Sequence, residues 1–188
     1  CRLPELVSTI LRRTSVQRLR LSSLEPWDLE PDFFRLWRDQ RLCPHLHLPL
    51  QSGSASILRR MVRKTTPEGF AALVQSARAA IPEVAITTDI IAGFPGETEA
   101  EFVQTLEFVQ SMHFAGGHVF SYSARPGTPA SRAQGQVRGE VVKARSAILR
   151  KVLTESALSY RRAFVGKTVP VLWEAVSHRA MSTDWSAA

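Results

Sequence analysis

Val84-Ala85-Ile86-Thr87-Thr88-Asp89-Ile90-Ile91-Ala92-Gly93-Phe94-Pro95-Gly96-Glu97-Thr98 is the stretch that decides the fold. Residues 84–94 are almost all apolar or β-branched, as in a strand buried on both faces of a parallel sheet. Gly93-Phe94-Pro95-Gly96 ends the run abruptly. Thr98 followed by Glu101 is a capping box, so a helix starts there and buries Phe102, Leu106 and Val109. Asp89 interrupts the apolar run. A carboxylate is costly to bury unpaired, so Asp89 is expected to meet a cation or hydroxyl donors.

Moving toward the N-terminus, a helix opens at Thr66-Pro67, where Thr66 can cap and Pro67 suits the first helical position; it buries Phe70, Leu73, Val74 and Ala77. Before it lie a helix with Ile57, Leu58 and Met61 at contact spacing, the turn Gln51-Ser52-Gly53-Ser54, and an alternating strand over residues 45–50. Residues 31–39 form a short helix carrying Phe33, Phe34 and Trp37. Residues 16–24 alternate like a strand, and Leu3, Leu6, Val7, Ile10 and Leu11 recur at helical spacing. Toward the C-terminus, a strand over residues 118–123 ends in the turn-rich loop Arg125-Pro126-Gly127-Thr128-Pro129. A long basic helix over 138–164 follows. Val169, Val171, Trp173 and Ala175 alternate within 168–176, predicting a half-exposed strand of a different kind. The alternation of strand and helix predicts an α/β fold with a parallel sheet, open or closed into a barrel. A domain boundary is expected near Phe164-Val165-Gly166.

The chain has 188 residues, 44% hydrophobic, enough for one domain with a sizeable core and a small appendage. No apolar run approaches the roughly 20 residues that cross a bilayer, so no membrane partner is expected. The two cysteines, Cys1 and Cys43, are neither a disulfide framework nor a metal-ligand spacing. A reducing, cytoplasmic setting is the default for such a chain. The net charge is +7 and arginine outnumbers lysine. Arginine forks suit phosphate, which favours an RNA or nucleotide partner, although an ordinary basic surface has the same composition.

In parallel α/β sheets functional groups collect where strands end. The strand ends here offer Glu25, Gln51, Asp89 with Gly93, and Ser121-Tyr122-Ser123 followed by Arg125. Each has a plain structural account: Glu25 at a helix entry, Gln51 satisfying its own turn, and Gly93 shaping the bend. Arg63, with Arg59 and Arg60, reads equally as a solvated basic face. His45 and His47 alternate on one strand and are assigned no metal role. No Ser-His-Asp arrangement, HExxH or phosphate-binding GxxxxGK[ST] loop occurs.

Three segments, in order and spacing, resemble the radical S-adenosylmethionine (SAM) methylthiotransferase family. They are His45-Leu46-His47-Leu48-Pro49-Leu50-Gln51-Ser52-Gly53-Ser54 with Met61-Val62-Arg63-Lys64, then residues 85–98, then Tyr122-Ser123-Ala124-Arg125-Pro126-Gly127-Thr128-Pro129-Ala130. Residues 19–130 carry the resemblance strongly and the basic helix more loosely. Val165-Gly166-Lys167-Thr168-Val169 with Val171-Leu172-Trp173-Glu174 looks like the opening of the small RNA-binding β-barrel, TRAM, of these enzymes. The resemblance therefore implies the C-terminal part of a radical SAM (βα) barrel over 1–164 and an incomplete TRAM-like domain over 165–188. It also implies an N-terminal part, with the CxxxCxxC loop that holds a [4Fe–4S] cluster, lying outside this sequence. Neither cysteine here has that spacing.

Within the family, Arg20-Leu21-Ser22-Ser23-Leu24-Glu25-Pro26, Cys43-Pro44-His45 and His118-Val119-Phe120-Ser121-Tyr122-Ser123 look most like the tRNA N6-threonylcarbamoyladenosine branch. Sister branches modify isopentenyladenosine in tRNA or an aspartate of a ribosomal protein. The implied chemistry is SAM-dependent methylthiolation of adenine C2 next to the anticodon, with the cofactor carrying the hard steps. The implied SAM ligands are Glu25, Gln51, Arg63 and Asp89, with Gly93 against the adenine. The implied tRNA contacts on and beyond the basic helix are Arg145, Arg150, Lys151, Arg161, Arg162 and Lys167. Two readings of another class remain open at this point: a non-radical α/β-barrel lyase using Asp89 and Glu25, and a non-catalytic RNA-binding remnant.

Overall fold

The computed structural model describes residues 2–171. Helix α1 (Leu3–Arg13) buries Val7 and Leu11, one turn apart, and ends at Thr14, whose amide and hydroxyl both donate to the Ile10 carbonyl. Two 3-10 segments follow, Pro26–Asp28 and Pro31–Arg38. The second packs Phe33, Phe34 and Trp37 edge to face. Strand β1 (His45–His47), helix α2 (Ala55–Arg60), helix α3 (Pro67–Ala80), strand β2 (Ala85–Ala92), helix α4 (Glu99–Ser111), strand β3 (Gly116–Ser121) and helix α5 (Gly139–Arg162) complete the order. The three strands form one parallel sheet, β1-β2-β3, in chain order, with helices between them. It is an open sheet consistent with part of a (βα) barrel.

Both expected caps are present. The Thr66 hydroxyl accepts from the Gly69 amide, and Thr98 and Glu101 close a reciprocal capping box on α4. Phe70 meets Phe108 and Phe114 at 6.2 and 6.1 Å, tying α3, α4 and the approach to β3 into one core with Ile86, Ile90, Val109 and Leu149.

Four expectations change. Residues 16–24 do not form a strand: only Leu19 pairs, as an isolated bridge to Leu42, and the Leu24 amide donates to the His47 carbonyl. Ser23, at a φ of 55°, turns the chain away from extended geometry before a longer ladder can form. Strand β2 is not buried on both faces. Ile86, Thr88, Ile90 and Ala92 lie under the helices, while Ala85, Thr87, Asp89 and Ile91 on the other face remain partly exposed. The helices cover one face, and the polar Thr87 and Asp89 occupy the other.

Strand β1 is shorter than the alternation over 45–50 implies, because a bulge interrupts it. The Leu48 amide donates to the Thr87 carbonyl, but the next amide to donate to a β2 carbonyl is that of Gln51, to Asp89. Pro49 cannot donate and falls inside the bulge, where proline is tolerated. The buried Thr88 hydroxyl repairs the ladder, donating to the Leu48 carbonyl at 2.8 Å and accepting from the Leu50 amide at 3.2 Å. Of the strand expected over 168–176, Thr168 to Val171 carry none and the remainder lies outside the described residues.

Candidate functional site

The face of the sheet not covered by helices is polar because three side-chain groups meet there. His47 Nε2 stands 3.3 Å from Asp89 Oδ1, with both side chains less than one-fifth exposed. Both atoms are inaccessible, and neither completes a well-directed hydrogen bond. Ser23 Oγ approaches the other ring nitrogen of His47 at 3.4 Å. On the same strand His45 contacts Arg20 and the Thr87 hydroxyl, each within 3.2 Å. Burial, and then the Arg20 charge, push the His45 imidazole below its ordinary value. Arg20, Ser22, Ser23, His47, Thr87 and His118 line a cavity of about 320 Å³ on this face.

The expected SAM ligands fall into two groups. Gln51, Asp89 and Gly93 lie along the later half of β2 and its exit: Gln51 exchanges backbone hydrogen bonds with Asp89 and Ile91, and Gly93 follows Ala92, the last residue of the strand. Gln51 sits at a φ of 71° as it leaves the bulge. Glu25 and Arg63 form the second group, with Arg63 Nη2 donating to Glu25 Oε2 at 3.0 Å. The Arg63 guanidinium stacks over Trp27 at 4.7 Å, and its Nε is buried without a partner. Val62, at a φ of 57°, turns the chain out of α2 and delivers Arg63 to this place. Arg63 therefore does not belong to a solvated basic face. Arg60 stays exposed but is paired, gripping Glu101 with both terminal nitrogens at 2.9 Å and also reaching the Gly96 carbonyl.

Gly93 has two reasons to be glycine. Its φ is 77°, and a Cβ there would stand 2.4 Å from Val142 of α5. Its amide donates to Glu97 Oε2 at 3.0 Å. Glu97, whose side chain is 1% exposed, is joined by Arg145 Nη1 at 2.7 Å, while Arg145 Nη2 reaches Glu99 at 2.8 Å. Burial pushes the Glu97 carboxyl above its ordinary value, and Arg145 and the Gly93 amide pull it back. Arg145 is consequently removed from the expected RNA-contacting set, its guanidinium being buried between two glutamates. Lys167 is committed to Glu83 at 2.5 Å. Arg150, Lys151, Arg161 and Arg162 remain exposed on α5. Arg150 and Arg161 flank a cavity of about 290 Å³ against Gly116 and Gly117.

Three participants escaped sequence reasoning. His47 alternates with His45 like any solvent-facing pair. Thr88 looks like one more β-branched strand residue. The Glu97–Arg145 pair spans 48 positions, a separation with no local signal.

A model of the radical SAM superfamily matches residues 2–109. The chain belongs to the radical SAM superfamily. It is 42% identical over 173 residues to the threonylcarbamoyladenosine tRNA methylthiotransferase of Thermotoga maritima, covering 92% of this chain and 40% of that protein. It is 44% identical over 162 residues to a tRNA-2-methylthio-N(6)-dimethylallyladenosine synthase of Parafrankia sp., covering 86% of this chain and 33% of that protein. The chain thus spans well under half the length of these relatives. Among solved structures, coproporphyrinogen III oxidase of Escherichia coli, described as a radical SAM enzyme, matches with a TM-score of 0.56 at 19% identity. It covers 86% of this chain and 36% of that one. That likeness supports the fold, a portion of the radical SAM barrel. Membership displaces the non-radical lyase.

The polar atoms here fit SAM. Asp89 Oδ1 and Arg63 Nε are buried polar atoms lacking a directed partner, whereas the space a Cβ of Gly93 would take is already filled by Val142. A [4Fe–4S] cluster does not fit: among the described residues no three His, Cys, Asp or Glu side chains cluster, and Cys43 stands alone. No helix among them is long and apolar enough to cross a membrane.

Proposed function

We propose that this chain is part of a methylthiotransferase that acts on a modified adenosine in tRNA. The observation that carries this is the 42–44% identity, along most of the chain, to relatives named for that reaction. When bound, SAM supplies the radical chemistry, and the residues of this chain bind and orient it and exclude water. Asp89, Gln51 and Glu25 accept from the ribose hydroxyls and the amino group. Arg63, already paired with Glu25, offers its free donors to the carboxylate. The Gly93 backbone lies against the adenine. His47 holds Asp89 in place.

The substrate branch is a finer matter. The motifs at residues 20–26, 43–45 and 118–123 lean toward threonylcarbamoyladenosine. Relatives named for dimethylallyladenosine are equally similar, and that name recurs among them, at 41% identity in Acetivibrio thermocellus for example. That name predominates among the similar relatives, so the comparisons back the dimethylallyl alternative better than the threonylcarbamoyl reading. The RNA is taken on the exposed face of α5 by Arg150, Lys151, Arg161 and Arg162; the TRAM-like sequence of 165–188 lies mostly outside the described residues. Deleting the gene and measuring tRNA nucleosides by mass spectrometry decides the branch. Loss of the 2-methylthio form of one nucleoside names the substrate. Both forms intact, with no redundant enzyme present, rejects the tRNA assignment, and a methylthio group lost from a ribosomal protein points to the third branch.

A further inference from the structure

We infer that Arg145 is a positioning residue for SAM, acting through Glu97 to fix the backbone of the Gly93 turn. This rests on the proposed placement of that turn against the adenine. Arg145 sits on α5, 52 positions beyond Gly93, and touches nothing on the polar face of the sheet. Its Nη1 donates to both the carbonyl of Glu97, at 3.0 Å, and Glu97 Oε2, at 2.7 Å. That same Oε2 accepts the Gly93 amide at 3.0 Å. A single carboxylate oxygen therefore joins the guanidinium to the amide of the residue that ends β2. One turn earlier on α5, Val142 fills the place a Cβ of Gly93 would need. The turn is held by two contacts from one face of one helix, one apolar and one ionic.

The chemistry of the pair suits precise placement better than stability. Taking two charges out of water offsets much of what their attraction returns, and an apolar pair of the same volume is often as stable. What the ion pair adds is direction. The guanidinium plane spans two glutamates, Nη1 holding Glu97 Oε2 and the Glu97 carbonyl while Nη2 holds Glu99, and Glu97 Oε2 in turn fixes the Gly93 amide. The Phe102 ring, 5.1 Å from the guanidinium carbon, and Glu99 at the second terminal nitrogen close the remaining freedom of the fork. Lysine at 145 keeps the charge but loses the fork, so the carboxylate swings and the turn is released.

The test uses the full-length, cluster-loaded enzyme. It compares wild type with Arg145→Lys, Glu97→Gln and a control, Leu149→Ala, that weakens the core of α5 without touching the turn. SAM affinity is measured by anaerobic equilibrium dialysis, and amide exchange over residues 93–97 by mass spectrometry. Arg145→Lys is expected to weaken SAM binding about tenfold and to speed exchange in that segment. Glu97→Gln, which keeps an acceptor for the Gly93 amide, is expected to fall between it and wild type. Leu149→Ala is expected to lower the melting temperature while leaving SAM affinity within about twofold. Undiminished SAM affinity in both Arg145→Lys and Glu97→Gln overturns the positioning role alone, as does an equal loss in Leu149→Ala. A wild-type enzyme that fails to bind SAM overturns the proposed function, and the positioning role with it.

Discussion

Asp89 shows how far a single residue can be read before its surroundings are known. A carboxylate inside an apolar strand needs a partner, and Asp89 Oδ1 stands 3.3 Å from His47 Nε2 without completing a directed hydrogen bond. The need was visible in the sequence and the partner was not, because an alternating histidine pair has the same pattern whether it faces solvent or a carboxylate. Arg145 was misplaced for a related reason: a count of positive charges along α5 does not say which face turns inward. In the full-length enzyme, Asp89→Ala and Arg63→Ala are each expected to weaken SAM binding by about 1–3 kcal/mol, the range for a lost hydrogen bond to a charged group. Equilibrium dialysis checks both, and unchanged affinity in the pair removes them from the site. Gly93→Ala tests a different property of the same region. The new methyl meets Val142 at 2.4 Å and the φ of 77° costs a further ~1 kcal/mol, so a clear fall in melting temperature is expected. Val142→Ala in the same chain is expected to recover the clash but not the backbone cost.

At the scale of elements, caps and periodicity carried well from sequence to structure, and register did not. The Thr98–Glu101 box, the Thr66-Pro67 start, the inward residues of α3 and, on α4, Phe102 and Val109 were legible, since each depends on neighbours within a turn. Leu106, by contrast, is only partly buried, and Thr105 takes an inward place. The strand boundaries were not. The bulge before Gln51 depends on Thr88, 37 positions later, and the shortfall of residues 16–24 depends on Ser23 bending away. The α4 cap also gives a pH prediction. Arg60, then Ser56 and Thr98, hold the Glu101 carboxyl at about 2 against an ordinary 4.5, with its burial opposing them. A depressed carboxyl stabilises the fold fully above pH 4.5, and that contribution is lost as pH falls from 4.5 toward 2. Acid melts are expected to steepen in that window, and Glu101→Gln to flatten them. Thr98→Ala is expected to cost about 1 kcal/mol at neutral pH, as lost N-caps commonly do, read by denaturant titration.

For the whole molecule, the α/β class and the parallel sheet followed from the alternation of elements, while the spared face of the sheet emerged only when the helices were placed. Two cysteines without shared spacing give this chain no means of anchoring a cluster. The purified chain is expected to stay colourless after anaerobic reconstitution with iron and sulfide, and an iron–sulfur absorbance band would contradict that. In the full-length enzyme, Arg150→Glu with Arg161→Glu is expected to weaken tRNA binding and to flatten its dependence on salt, because each phosphate contact released carries its counterions. Binding isotherms across a salt series test this, and an unchanged slope removes the helix from the interface. Helix α5 has one consequence beyond either contact. Its inner face holds the Gly93 turn and its outer face carries the arginines, so the proposed SAM and tRNA placements would make a single rod a ligand-side wall and an RNA-side handle at once. Thermodynamic reciprocity then binds the two ends: by whatever factor tRNA on the handle tightens SAM at the wall, SAM tightens tRNA by the same factor.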